Sequence, residues 1–279
     1  MLTDTTQHYP GTPQHQAILR AIVDHYENDP RILAVAVFGS LGRGNWDEHS
    51  DIDLDVVIAD EVSLNVNEEL TRLCLALEPP GEHLAVIVPD GADAGDVVFE
   101  SLLQISVRYH PLATTHPNIV ESLQVLTGRI DHTAIAAAGV ANRRPRKPVK
   151  ETLAECVRYA AVVDVALQRH HLWDTVEALH DMRYLLMDLY TLTHGGQRPW
   201  QFFQATADPN LQAQLGHTLP QYSLVSVQAS LEHCLDILEH DLGHLTNEQL
   251  QLPDAYRKVL IAVRARQARL KFSGEQHDR

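Results

Sequence analysis

The chain has 279 residues, 44% hydrophobic and 21% charged, with a net charge of −15. This length accommodates one large or two modest domains with a full apolar core, and no apolar run reaches the roughly 20 residues that span a bilayer. A surface this acidic disfavours nucleic-acid backbone as a partner, which requires concentrated Lys and Arg, and favours a small acceptor, a cationic one included. Cys74, Cys156 and Cys234 are few, odd in number and far apart, so no disulfide framework is expected. Met1 to Thr6 lack the basic region and apolar core of a signal peptide, and the expectation is a cytoplasmic protein without a membrane anchor.

In chain order, the spacing of Ile18, Ile22 and Tyr26 predicts a helix over 14–28, with Pro13 near its start. Strands follow at 31–38 and 51–58, then a helix over 64–77 stopped by Pro79-Pro80. Leu84 to Val88, Val97 to Phe99 and Leu103 to Tyr109 read as strands, and 116–127 and 132–141 as helices. Strands and helices in this mixture imply a mixed sheet with helical cover over residues 1–142. Residues 143–150 form a basic linker stiffened by Pro145 and Pro148. Beyond it, 151–169, 174–194, 222–243 and 253–271 carry apolar residues at helical spacing, so 151–279 is expected to be an antiparallel bundle with a frayed tail from Ser273.

The first two strands frame the chemistry. The strand ending at Phe38 runs into Gly39-Ser40-Leu41-Gly42-Arg43-Gly44, whose glycines permit close backbone approach. Main-chain N–H groups in such a turn, with the Ser40 hydroxyl, can hold a phosphate. In Ser50-Asp51-Ile52-Asp53-Leu54-Asp55 the three aspartates point to one face of a strand. Carboxylates beside bound phosphates suit a hard divalent cation. The combination reads as metal-dependent chemistry on a nucleoside triphosphate. No Gly-Lys-Ser/Thr follows the glycines, which excludes a P-loop, and the acidic pair comes too early for a dinucleotide fingerprint.

Gly39-Ser40, Arg43 and Ser50-Asp51-Ile52-Asp53 resemble the Gly-Ser…Asp-x-Asp signature of the polymerase-β-type nucleotidyltransferase superfamily over residues 31–58. With a helical bundle behind it, the plan is similar to antibiotic nucleotidyltransferases of the aminoglycoside and lincosamide types. The resemblance implies an α+β nucleotidyltransferase domain followed by an all-α acceptor-binding domain. It implies Mg²⁺ held by Asp51 and Asp53, and the phosphates of ATP or another nucleoside triphosphate held by Gly39, Ser40, Arg43 and Ser50. Ser50 also serves to shape its turn. The implied reaction moves a nucleoside monophosphate to a hydroxyl of a small acceptor, with pyrophosphate leaving; relatives often build the acceptor pocket across a homodimer. By the same analogy Glu177 is the general base for the acceptor hydroxyl, with Asp96, Glu100 or His110 as alternatives.

One departure stands out. The family supplies a third carboxylate from a neighbouring strand, yet Leu103-Gln104-Ile105-Ser106-Val107-Arg108 contains no acid. Asp55 lies about 13 Å along the strand from Asp51, too far for one compact cluster, which leaves Asp96 and Glu100 as substitutes. Two rival readings follow: a protein-modifying transferase of the toxin–antitoxin type, or a nucleotide-binding regulatory protein that lost turnover with its third acid. His240 and His244 have metal-compatible spacing but no adjacent catalytic glutamate, and read as surface histidines.

Overall fold

The computed structural model describes residues 8–77, 82–241, 243, 246 and 252–274. The amino-terminal Met1 to Thr6, the Pro79-Pro80 stop, His244 and the tail from Glu275 lie outside the described residues. Two compact units divide the chain, residues 1–145 and 146–279. No described helix is long and apolar enough to cross a membrane.

In the first unit α1 (Pro13–Tyr26) starts at Thr12, whose side chain accepts from the His15 backbone N–H, with Pro13 preset for the first turn. Its Ile18, Leu19, Ile22 and Tyr26 are buried in one core with α3 (Val66–Leu77) and one face of the sheet. The strands are β1 (Ile32–Phe38), β2 (Ile52–Ile58), β3 (Leu84–Asp90), β4 (Ala94–Phe99), β5 (Gln104–Pro111) and β6 (Gln124–Gly128). They lie in the order β3-β4-β5-β2-β1-β6, with β2–β5 parallel and every other pair antiparallel. Between β1 and β2 the glycine segment winds into a single short helix, α2 (Gly39–Arg43), closed by Gly44 at φ +76°.

The alternation along β2 and β5 sorts the sheet faces. Ile52, Leu54, Val56, Ile105 and Val107 point into the α1/α3 core. Asp53, Asp55, Ser106, Arg108 and His110 share the opposite face. Part of that face is covered where Ala34, Ala36 and Val57 pack with Ile119, Leu123 and Ile135. Ile135 belongs to α4 (His132–Ala141), which Asp131 caps.

The helix expected over 116–127 is not formed. Residues Val120–Ser122 make a 3₁₀ turn and Gln124–Gly128 become the edge strand β6 on β1. Val125 and Thr127 are β-branched and fit a pleated surface better than a helix interior, and β1 would otherwise be left with an unpaired edge.

The second unit is helical: α5 (Val149–Gln168), α6 (Leu172–Thr193), α7 (Pro199–Thr206), α8 (Pro209–Gly216), α9 (Leu224–His240) and α10 (Asp254–Gly274). The four long helices match the apolar spacing, and α10 runs past Ser273, where a frayed tail was expected. The short α7 and α8 were not foreseen; each begins with a proline in its first turn, and Asp208 caps the second. Buried Asp164 of α5 accepts from Gln267 Nε2 at 2.6 Å and pairs with Arg266 at 3.0 Å, tying α10 to α5. A buried carboxylate needs such partners to remain charged.

Candidate nucleotide-binding and metal site

The end of β1 and the start of β2 meet because Phe38 and Asp53 are register partners. The next residue, Gly39, has φ +69°, and a Cβ placed on it would fall 1.8 Å from Asp53 Oδ2. Only glycine leaves space for that carboxylate. Beside it, the Ser40 hydroxyl oxygen is buried and has no hydrogen-bond partner. An orphaned buried hydroxyl costs desolvation without return, so a ligand acceptor or donor in this place has something to satisfy.

Asp51 lies immediately before β2 and Asp53 is its second residue, one pleat apart. Asp51 is exposed and Asp53 half-buried. Asp51 also lines a cavity of about 520 Å³ together with Gln14, His15, Glu48, Ser50 and Gln104. Ser50 spends its hydroxyl within its own turn: it accepts from Asp47 N–H at 2.9 Å and donates to Asp47 Oδ1 at 3.2 Å. These contacts hold the Asp47 carboxyl below the usual carboxylate range, the His49 N–H contributing most. Arg43 is exposed at the end of α2.

His15 is the residue the sequence did not announce. It is 2% exposed, receives the Thr12 N–H on Nδ1 at 3.1 Å, and directs Nε2 at the Ser50 carbonyl at 2.9 Å. With Nδ1 accepting, Nε2 carries the hydrogen and donates. The start of α1 thereby pins the residue before Asp51. Only Pro13 near the start of the helix was visible locally; the reach to Ser50 is a long-range contact.

A second polar pair lies deeper on the same face. His110 Nε2 and Asp55 Oδ1 are 2.8 Å apart, both side chains 1% exposed, and His110 Nδ1 is 2.8 Å from the Pro111 carbonyl. That carbonyl only accepts, so Nδ1 carries a hydrogen, and one further proton is shared between Nε2 and Asp55. The pair locks β2 to β5 through Asp55 Oδ1, while Asp55 Oδ2 is buried without a hydrogen-bond partner. His110 is thus packed rather than poised as a base, and Asp55 is its buried partner.

The row across the sheet explains the missing acid. Asp53 pairs with Ser106 on β5, and Ser106 pairs in turn with Asp96 on β4. The position beside Asp53 is therefore serine, and Asp96 stands two strands away, roughly 10 Å at the usual spacing. Glu100 is exposed in the turn after β4. No group of three or more His, Cys, Asp or Glu among the described residues forms a metal cluster. Asp51, just before β2, and Asp53, on it, offer two carboxylates, the number that Mg²⁺ takes from a protein when phosphate oxygens and water complete its octahedron. Two hard oxygen ligands, a cradle that a Cβ would fill and an orphaned hydroxyl fit a magnesium–nucleotide. Glu177 belongs to the other unit, exposed on α6.

Residues 20–81 match the family model of polymerase beta, nucleotidyltransferase. The matched segment contains the end of α1, then β1, α2, β2 and α3, and with them Gly39, Ser40, Arg43, Ser50, Asp51 and Asp53. Among curated proteins no sequence matches the chain. Similar solved structures include an aminoglycoside 6-adenyltransferase from Bacillus subtilis, at 12% identity and TM-score 0.39, covering 92% of this chain and 99% of that one. A nucleotidyltransferase-like protein from Exiguobacterium sibiricum 255-15 aligns at 14% identity and TM-score 0.36, covering 80% and 73%. The Cid1 poly(U) polymerase aligns at 14% and 0.33, covering 83% and 70%. Likenesses of this strength name no acceptor for this chain.

Proposed function

We propose that this protein is a Mg²⁺-dependent nucleotidyltransferase that moves a nucleoside monophosphate from ATP, or another nucleoside triphosphate, to a hydroxyl of a small acceptor. The observation that carries the reading is the Asp53 carboxylate lodged against Gly39 beside the unpartnered Ser40 hydroxyl, within the family-matched segment. Asp51 and Asp53 hold the metal, and Gly39, Ser40 and Arg43 hold the phosphates. When bound, Mg²⁺ neutralises charge on the phosphates and aligns the attacking and leaving oxygens. His15, through Ser50, keeps Asp51 in place, and the Asp55–His110 pair keeps β2 against β5. The acceptor oxygen forms a bond to the α-phosphorus, the bond to the β-phosphate oxygen breaks, and pyrophosphate leaves. The acceptor proton passes to a base, for which Glu177 is the candidate. The high negative charge of the chain supports a small or cationic acceptor over a polyanion.

Serine in place of an acid beside Asp53 favours a second reading, a nucleotide-binding protein without turnover. One experiment separates the two. The protein is incubated with Mg²⁺, each of the four ribonucleoside triphosphates and a panel of aminoglycoside, lincosamide and RNA acceptors, and pyrophosphate is measured. Acceptor-dependent release that disappears in Asp53→Asn supports the transferase. Nucleotide binding without pyrophosphate supports the second reading, and an Asp53→Asn protein at the wild-type rate sinks both site assignments.

A further inference from the structure

The helical unit has a cavity of its own, of about 380 Å³, between α6, α7 and the end of α8. One face of α6 contributes His180, Arg183, Tyr184 and Met187, spaced three and four residues apart. Opposite them stand Trp200, Phe203 and Leu219. Tyr184 and His180 each meet the Trp200 ring edge-on, with centroids 5.7 Å apart. Trp200 is 48% exposed and Leu219 65%. Large apolar side chains gathered around one concavity are more informative than the same residues scattered singly.

Within this apolar wall sits a charge. Arg183 is only 7% exposed, and its Nη1 donates to the Thr218 carbonyl at 2.8 Å. Its Nε and Nη2 have no hydrogen-bond partner among the described residues, and none of those residues offers it a carboxylate. In a chain with 37 acidic residues against 22 Lys and Arg, that is unexpected. Carbonyls near the end of α8 lend partial negative charge but do not neutralise a full cation. Burial lowers the Arg183 pKa from its ordinary value, the direction of an unrelieved desolvation cost. A buried charge ordinarily comes with its partner.

We infer that this cavity binds a small carboxylate with an apolar or aromatic body. The guanidinium uses one nitrogen on Thr218 and leaves its Nε–Nη2 edge, whose two parallel N–H groups match a carboxylate in bidentate fashion. Trp200, Tyr184, Phe203 and Met187 then enclose the body. The volume falls at the small end of ligand cavities. No second Arg or Lys among the described residues lines it, which favours a monoanion over a phosphate dianion. All its lining residues belong to the helical unit, and none of them is assigned a part in nucleotide transfer.

The probe is 3-phenylpropionate, with 3-phenylpropionamide as its neutral twin and inorganic phosphate as the anion without a body. Binding is measured by calorimetry on the full-length chain. The acid is expected to bind at least ten-fold more tightly than the amide, the scale of a charge-assisted hydrogen-bond pair. Arg183→Met should remove that preference, Arg183→Lys should restore part of it, and Trp200→Ala should weaken acid and amide alike. Asp53→Asn should leave the binding unchanged, so failure of the transferase reading would not touch this result. Because Arg183→Met risks the fold, the comparison of acid with amide on the wild-type protein decides by itself. Equal affinity for the two, tighter binding of phosphate, or no binding of the acid by about 10 mM, a free energy near −3 kcal/mol, overturns the inference.

Discussion

Gly39 and Asp53 stand so close that a methyl group on residue 39 would lie 1.8 Å from the Asp53 carboxylate oxygen. The glycine turn after β1 and the Asp53 carboxylate are thus a single steric unit, and disturbing one moves the other. Gly39→Ala adds both this overlap and a positive φ that costs an alanine about 1–2 kcal/mol. The variant should melt several degrees lower and lose most triphosphate affinity. Ser40→Ala acts with the opposite sign on stability. Deleting an orphaned hydroxyl should hold or slightly raise the melting temperature of the nucleotide-free protein, while triphosphate affinity falls about ten-fold, the value of one hydrogen bond to a charged group. Melting curves and nucleotide calorimetry on the two variants check both signs.

His15 is a positioning residue, since it reaches Asp51 only through the Ser50 carbonyl. His15→Ala should raise the Mg²⁺ concentration for half-maximal turnover more than it raises the nucleotide KM. His15→Gln, which keeps a donor, should recover part of that shift. An equal loss of stability in both variants with no change in the Mg²⁺ titration would reduce His15 to a structural cap.

The acid limb of stability has an identifiable contributor. Arg31 donates to both Asp29 carboxylate oxygens, at 2.6 and 3.0 Å. These side-chain hydrogen bonds hold the Asp29 pKa below its ordinary value. A carboxylate lowered by folding stabilises the native state above its unfolded value and loses that contribution as pH falls through the folded one. The melting temperature should therefore drop below about pH 4, and Asp29→Asn should lower it at neutral pH while flattening that drop. Parallel acid limbs in wild type and variant would assign the effect elsewhere.

Glu177 is exposed on α6, so Glu177→Gln should leave the melting temperature unchanged. If it is the base, transfer should slow by about 10²- to 10⁴-fold, nucleotide affinity should stay put, and the defect should shrink at high pH. A wild-type rate would return the search to Asp96 and Glu100, since His110 is already engaged by Asp55.

The site is legible in sequence to the extent that it is local. Gly39, Ser40, Asp51 and Asp53 lie within two consecutive strands and the turn joining them, so spacing alone brings them together. The absence of an acid on β5 is legible as well. What spacing cannot give is register: that Ser106 lies beside Asp53, with Asp96 one strand further, follows from pairing between distant segments. The same limit hid His15, which acts across the gap from α1 to Ser50. For the fold, β1, β2 and β5 are visible as apolar runs or alternations, and the four long helices as stripes. β6 is five residues at a sheet edge, and its identity comes from β1 rather than from its own composition.

The parallel pairing of β2 with β5 carries a consequence for how this protein is assembled. α3, β3 and β4 intervene between the two strands, so the aspartate strand gains its inner neighbour only after a long excursion of the chain. A fragment limited to the family-matched residues 20–81 would contain every residue of the motif and yet leave β2 with one open flank. The motif is contiguous in sequence but is completed from outside itself. Slow hydrogen exchange at β2 should therefore track the whole first unit, the aspartate strand gaining its rigidity last and losing it only on global unfolding.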